Sequence, residues 1–391
     1  MCKHNMRNAR YAALLTGTLG LCFGLNAWAA VPVTTVAAPA AHRSKAPPAR
    51  HPPSSHRAPA LERAIDGVAL NFDEHLLIDG AHDRDYAGGG NITLSGALAA
   101  HDGLDSLLGW LDRSLPLREQ NARMILRPSH ALSAGVLVFT PGNLLQSAPI
   151  RSDRSYASLL FLSTARRYVL PSDAIAYQTN LTVGVLGLAA VGHFQDWLHR
   201  LTGSVHPRGW ENQISAGGEP TLDYRFERES LLALHADPGR LDYDLKLTTG
   251  ASLGTITEGS VGLSLRAGRI ASPWWGFSAA TDLYTDVPHP SPPPLPRGAQ
   301  SEVFLLLGVR LKARLYDAFL EGQFRHSALR DHWRELNPLL GQAWAGLEYR
   351  SPSGLVIRYL VRWQSPELRS GVGSRELLWG SVELATTFGG R

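Results

Sequence analysis

From Ala64 onward the chain is written in segments of about ten residues whose apolar and polar positions alternate, with turn residues between them. QAWAGLEYRSPSGLVIRYLVRW shows the pattern most clearly. Ala343, Ala345, Leu347 and Tyr349 share one face, and Gln342, Trp344, Gly346 and Glu348 the other. Beyond the SPSG turn, Leu355, Ile357, Tyr359, Val361 and Trp363 alternate with Arg358, Arg362 and Gln364. SEVFLLLGVRLKA and LDYDLKLTTGASL repeat the alternation, as does LLWGSVELATTF, where Leu378, Val382, Leu384 and Phe388 share a face. Successive strand side chains point to opposite sides, so each segment predicts a strand with one greasy face and one holding Arg, Glu and Gln. Strands of about ten residues with this division predict an all-β fold, a transmembrane antiparallel barrel. A soluble β-sandwich is the competing architecture, since its strands alternate too. Tyr349, Trp363 and Trp379, near strand ends, fit the aromatic girdles of such a barrel.

Two stretches break the period of two. HDGLDSLLGWLDRSL (His101 to Leu115) reads as a short helix in a loop or turn region. GHFQDWLHRLTG is the other, with Phe194, Trp197, Leu198 and Leu201 at i, i+3, i+4 and i+7 forming one apolar stripe. Gln195 and His199, four apart, lie side by side next to that stripe, and a turn with Pro207, Gly209 and Trp210 follows. TDVPHPSPPPLPRG predicts a long loop with no assignable chemistry.

The amino terminus belongs to a different regime. Lys3, Arg7 and Arg10 precede an apolar run from Tyr11 to Leu25, and Ala27-Trp28-Ala29 fits a small-x-small cleavage site, so residues 1–29 predict a secretory signal peptide. Cys2 and Cys22 are the only cysteines; a chain cleaved near Ala29 has no disulfide, thiolate metal site or cysteine nucleophile. Residues 30–63, rich in Pro and Ala and basic, read as a disordered linker, leaving 64–391 as the barrel domain. The formal charge of +4 comes from these leading segments: from Leu61 onward 31 basic side chains face 34 acidic ones, a net of −3. That balance predicts no nucleic-acid partner.

Among the candidate reactive groups, His199 is foremost, because imidazole titrates near neutrality and activates water. Gln195, one turn earlier, is placed to orient it or to donate to a developing oxyanion. Strand parity adds a second pair: Val68, Leu70 and Phe72 of VALNFD share the apolar face, so Asn71 and Asp73 point inward. FRHSALRDHW sets His326 beside Ser327 but lacks the Asn-Gly that follows in the membrane phospholipase A motif.

Four blocks resemble the outer-membrane lipid A deacylases that remove the 3′ acyl chains of lipopolysaccharide. NFDEHLLIDGAHDRDYAGGG is similar to that family's Asn-Asp strand and its Asp-Arg…Tyr-Thr-x-Gly turn, and VFTPGN to its Tyr-Thr-Pro segment. SDRSYASLLFLS is similar to Asp-Arg-Pro-Tyr-Ala-Gly. VGVLGLAAVGHFQDWLHRLTGSVHPRGWENQISAGGEP, the most specific block, is similar to Gly-x-x-Gly-Pro…Gln-x-x-x-His-Arg…Gly-Trp-x-x-Gln. The blocks run from Asn71 to Tyr224; beyond Asp223 the likeness is that of generic barrel strands.

The resemblance implies a barrel of about twelve strands, with short helices in its loops, in the bacterial outer membrane. It implies an ester hydrolase acting on lipid A as a monomer among outer-membrane lipids, with Ca2+ as cofactor. By position it implies His199 as the water-activating base with Gln195 beside it, Asp73 as the metal-associated aspartate, and Asn71, Tyr86, Trp210 and Gln213 as substrate-binding residues. Two positions depart from the family pattern: Phe72 stands where it has Asn, and Ala87 where it has Thr. No counterpart of its lysine after the Tyr-Thr-Pro block can be placed. The alternative is a catalytically silent barrel with a structural, binding or transport role.

Overall fold

The computed structural model describes residues 62–388 apart from 76, 78–84, 102, 114–127, 151, 171–173, 237–240, 278–283, 285–288, 297 and 326–328. The signal peptide, nearly all of the linker, and the His326-Ser327 pair therefore lie outside the described residues. Twelve strands follow one another: β1 Gly67–Glu74, β2 Asp85–Ser95, β3 Ser129–Thr140, β4 Ala157–Leu170, β5 Ile175–Leu186, β6 Glu219–His235, β7 Asp242–Gly254, β8 Ile256–Arg269, β9 Glu302–Asp317, β10 Leu339–Arg350, β11 Leu355–Gln364 and β12 Leu377–Thr387. Each pairs antiparallel with its chain neighbours, and β1 pairs with β12, so the sheet closes into a barrel. Among the described residues three α-helices of four or more residues sit in the connections: α1 Gly103–Asp112, α2 Ala189–Thr202 and α3 Ala318–Glu321. No described helix is long and apolar enough to cross a membrane; the strands are the only described elements suited to that.

The alternation read from the sequence sorts as expected. On β9, Val303, Leu305, Leu307, Val309 and Leu311 are exposed on the outer wall, while Arg310, Lys312 and Arg314 are buried inside. On β11, Leu355, Ile357 and Tyr359 face out while Arg358, Arg362 and Gln364 face in. On β1, Val68, Leu70 and Phe72 are exposed and Asp73 is buried, matching the parity argument. Trp379 is a correction: it is fully buried, packing edge-on against Tyr86 at 5.5 Å within the barrel, and takes no part in a girdle. It lies on the odd, inward face of β12, which outranks the preference of tryptophan for an interface.

The interior is a packed polar core. Glu348 accepts from Arg358 Nε at 2.6 Å and also pairs with Arg350, and Arg358 reaches Glu383 at 3.1 Å. Arg266 meets Asp244 at 2.6 Å, and Arg314 meets Glu258 at 2.9 Å. Charges removed from water are tolerated only when paired in this way. Twelve being even, the start of β1 and the end of β12 lie at one face of the barrel, called the chain-end face; β1, β3, β5, β7, β9 and β11 all run away from it.

The β8–β9 connection starts at the chain-end face and enters the barrel. Trp274 and Trp275 pack with Val169 and Ala176, and Lys246 Nζ donates to the Phe277 carbonyl at 2.6 Å. Tyr284 reaches the far end, its hydroxyl 2.8 Å from Asp317 and 2.6 Å from Glu367, its ring 5.4 Å from Tyr86. Ser291 is back at the chain-end face, its N–H donating to Ser95 Oγ at 2.8 Å. The described parts of the β8–β9 connection that precede the Pro-rich tract thus lie in the lumen as a strap, and the tract itself is back at the chain-end face by Ser291.

Candidate active site at the loop face

Helix α2 leaves β5 at the face opposite the chain ends and ends on Gly203, whose left-handed φ of 72° suits glycine. Its orientation is the reverse of a soluble helix. Gln195 and His199 are 7% and 5% exposed, whereas Phe194 and Trp197 are 53% and Leu201 66% exposed. The polar pair faces the protein and the apolar stripe faces outward, as on a helix resting against hydrocarbon. Gly192 lets the helix approach its floor: a Cβ there would stand 2.5 Å from the Trp210 ring. Trp210 in turn packs against Tyr156 at 4.9 Å.

Hydrogen bonds fix the state of both buried groups. His199 Nδ1 is 2.5 Å from the Val205 carbonyl. A carbonyl only accepts, so in the neutral ring Nδ1 carries the proton and Nε2 is the basic nitrogen. His199 also occupies the last turn of α2, where the helix dipole favours the positive charge that proton abstraction creates. Trp210 Nε1, a donor only, lies 2.9 Å from Gln195, so the facing atom is the amide oxygen and the Gln195 NH2 is turned away as a donor. Gln213 accepts from Ser158 at 3.0 Å, tying the turn after Trp210 to β4.

Asp73 belongs to the mouth of the barrel on β1. Tyr86 donates to its Oδ2 at 3.0 Å. That contact depends on a β-bulge: Tyr86 pairs with Phe139 and Gly88 with Val138, leaving Ala87 as the extra residue of β2. Asn91, Thr93 and Ser95 point inward, so an unbroken β2 would send Tyr86 out; the bulge turns it in. Asn71 donates to Asn91 at 2.9 Å one step deeper. Phe72, between Asn71 and Asp73, is exposed on the outer wall, so whatever occupies that position cannot share the lumen with Asp73. Tyr86 and Asp73 thus form one group and Gln195, His199 and Trp210 another.

Among the described residues no three His, Cys, Asp or Glu side chains form a group able to hold a metal ion. Among the described residues, the side chains around Asp73 therefore do not supply a carboxylate cage of the kind Ca2+ usually takes.

The Asp-Arg pair of SDRSY serves the architecture around the site. Arg375 donates to Asp85 at 2.6 Å and to Asp153 at 2.8 Å, clamping β2 and two loops of the same face. Asp153 also caps the Gly142 N–H at 2.7 Å, and Arg154 turns inward to Glu367 at 3.1 Å. Arg375 and Glu367 were not singled out in the sequence, because their partners lie more than 200 residues away along the chain. Gly250-Ala251-Ser252-Leu253-Gly254 spells Gly-x-Ser-x-Gly, yet it lies within β7 and runs on into β8. A nucleophile elbow needs a strand-to-helix turn, so Ser252 is an inward strand residue and no elbow.

A closed sheet with an apolar outer wall and a filled, charged interior defines an integral outer-membrane β-barrel. The chain belongs to the LpxR family: the family model described as outer membrane protein LpxR matches residues 31–388. LpxR from Salmonella typhimurium superposes with a TM-score of 0.62 at 12% identity, covering 82% of this chain and all of that one, which establishes the shared barrel fold. The β-domain of the Bordetella autotransporter BrkA scores 0.37 at 9% identity over 83% of this chain and all of that one, too low to bear on the fold. No curated protein is detectably similar in sequence.

Proposed function

We propose that this protein is an outer-membrane ester hydrolase that releases ester-linked acyl chains from the lipid A part of lipopolysaccharide, with His199 as the base. The observation that carries the reading is the inverted helix α2, which buries Gln195 and His199 while exposing Phe194, Trp197 and Leu201. Such a helix sets an imidazole beside a lipid layer, where an ester of a membrane lipid lies. Membership of the LpxR family supports the same reaction class.

In the proposed reaction His199 Nε2 takes a proton from water, and the hydroxide oxygen bonds to the ester carbonyl carbon. The carbonyl oxygen becomes an oxyanion, to which the Gln195 NH2 donates. The carbon–oxygen bond to the sugar then breaks, and the imidazolium returns its proton to the departing sugar oxygen. The products are a free fatty acid and a sugar hydroxyl. Asp73, held by Tyr86, is the carboxylate at which a family-type Ca2+ requirement would act; carbonyl, amide or substrate oxygens would have to complete the shell.

The lumen supports an enzyme over a pore, because the strap bearing Trp274 and Tyr284 and the paired charges of the strands fill it. The test is mass spectrometry of lipid A from a host with unmodified lipopolysaccharide expressing this barrel, with and without chelator. Acyl loss is expected. An unchanged spectrum from folded, inserted protein overturns the reading, and acyl loss that survives chelation removes the calcium requirement.

A further inference from the structure

Helix α1 lies on the outside of the barrel. Its partners are side chains of the outer faces of three strands: Arg166 and Tyr168 on β4, Thr179 on β5 and Tyr224 on β6. Arg166 grips Asp105 at both carboxylate oxygens, 2.8 and 2.7 Å, and its backbone carbonyl at 3.0 Å. Asp112 accepts from Tyr168 at 3.0 Å, Thr179 at 2.9 Å and Tyr224 at 3.1 Å. Seven residues of helix cover ~10 Å, which matches two steps between strands of ~4.8 Å. The helix therefore runs across the strands and not along them. Gly109 permits the close fit, since a Cβ there would stand 2.3 Å from Arg166.

The underside of α1 is Asp105, Leu108 and Asp112, all buried; its outer side carries Leu107 and Trp110, 43% and 56% exposed. Leu98, in the short turn before it, is exposed as well. Arg166 is four residues short of the end of β4 at the chain-end face, at Leu170. At ~3.3 Å per residue and a strand tilt of ~45°, that sets α1 ~9 Å inside the edge of the wall, the depth at which amphipathic helices rest in a leaflet. Its exposed face continues the lipid-facing wall, where Leu160 and Leu162 are exposed on the same β4.

We infer that α1 is a fixed membrane-contact helix, whose Leu107 and Trp110 rest in the glycerophospholipid leaflet at the chain-end face. Its carboxylates satisfy a polar patch of the wall that would otherwise meet hydrocarbon. The occupant is lipid because the helix lies on the lipid-facing wall, its outer rows are apolar and free of charge, and its tryptophan is at interfacial depth.

The experiment places a nitroxide at Leu107→Cys and, separately, at Trp110→Cys in the full barrel, reconstituted in phosphatidylethanolamine and phosphatidylglycerol vesicles. Leu162→Cys is the lipid-facing control and Ser353→Cys, in the β10–β11 turn, the water-facing one. Collisional relaxation by oxygen is expected to exceed that by a water-soluble nickel chelate at 107 and 110, as at 162, with the ratio reversed at 353. A nickel-dominated ratio at 107 and 110 overturns the inference. So does spin–spin broadening at those sites that disappears on dilution with unlabelled protein, because the occupant is then a second copy. Heat-modifiable migration of each labelled variant verifies that the barrel is folded.

Discussion

Helices α1 and α2 both turn apolar side chains outward and hide polar ones against the barrel, yet the hidden groups are engaged differently. On α1 the buried carboxylates are saturated: Arg166 takes both oxygens of Asp105, and three hydroxyls converge on Asp112. On α2 the bonds set the orientation of both groups. Val205 accepts from His199 Nδ1, which makes Nε2 the basic nitrogen of the neutral ring, and Trp210 donates to the oxygen of Gln195, which turns its NH2 elsewhere. On the function and the membrane contact proposed above, the same amphipathic design is an anchor at one end of the barrel and a mount for reactive groups at the other.

That contrast breaks most sharply at His199. His199→Ala is expected to lower acyl release by about 10²–10⁴-fold, the range for loss of a general base, with heat-modifiable folding unchanged. Mass spectrometry of lipid A reads it, and retained activity removes His199 from the chemistry. For α1 the expected effect is on stability alone. Arg166→Ala strands the buried carboxylate of Asp105 and is expected to cost ~3 kcal/mol, read as a lower urea midpoint in detergent, with acyl release per folded barrel unchanged. A loss of activity without a loss of stability would mean that the two helices are not separate in function.

Smaller changes sharpen the distinction. Trp210→Phe keeps the ring against Tyr156 but removes the donor that orients Gln195. The net worth of one hydrogen bond, about 1–1.5 kcal/mol, predicts a roughly tenfold fall in kcat with little change in KM. Tyr86→Phe likewise removes the bond to Asp73 and keeps the aromatic cluster, with an expected cost of about 1 kcal/mol in the urea midpoint. The smallest effect concerns Asp331 in the β9–β10 connection, whose pKa burial raises from 3.8 to about 7. A carboxyl raised on folding binds more protons in the native state between those values, so its stabilising contribution is complete below about pH 4 and is lost as pH rises through about 7. The amide protection factors around Asp331, corrected for the base-catalysed rise of intrinsic exchange, are expected to fall over that window, and Asp331→Asn to flatten the fall. A flat profile in the wild type refutes it.

Parts of this were legible before folding. Leu355 to Gln364 had to be a strand with Arg358 and Arg362 on one side, because period two is a local property. The same reasoning placed Asn71 and Asp73 inside, and a 3.6-residue apolar stripe marked α2. It failed for Trp379, where residue preference pointed to an interface and parity to the lumen. It was silent on the Ala87 bulge, because one inserted residue in a glycine-rich strand leaves no periodic trace. Nor did it show that Arg375 and Glu367 clasp the SDRSY segment, partners more than 200 residues away along the chain.

By itself, then, the sequence determined the strands, their two faces and the existence of two helices, since each follows from neighbours a few residues apart. Only the tertiary structure decided which way those helices turn, that the β8–β9 connection enters the lumen, and that Tyr86 meets Asp73. The physical reason is that a helix stripe reports only that its two sides differ. Whether the greasy side seeks a core or a lipid layer depends on the closed wall against which it is laid, and that wall exists only after β1 has met β12.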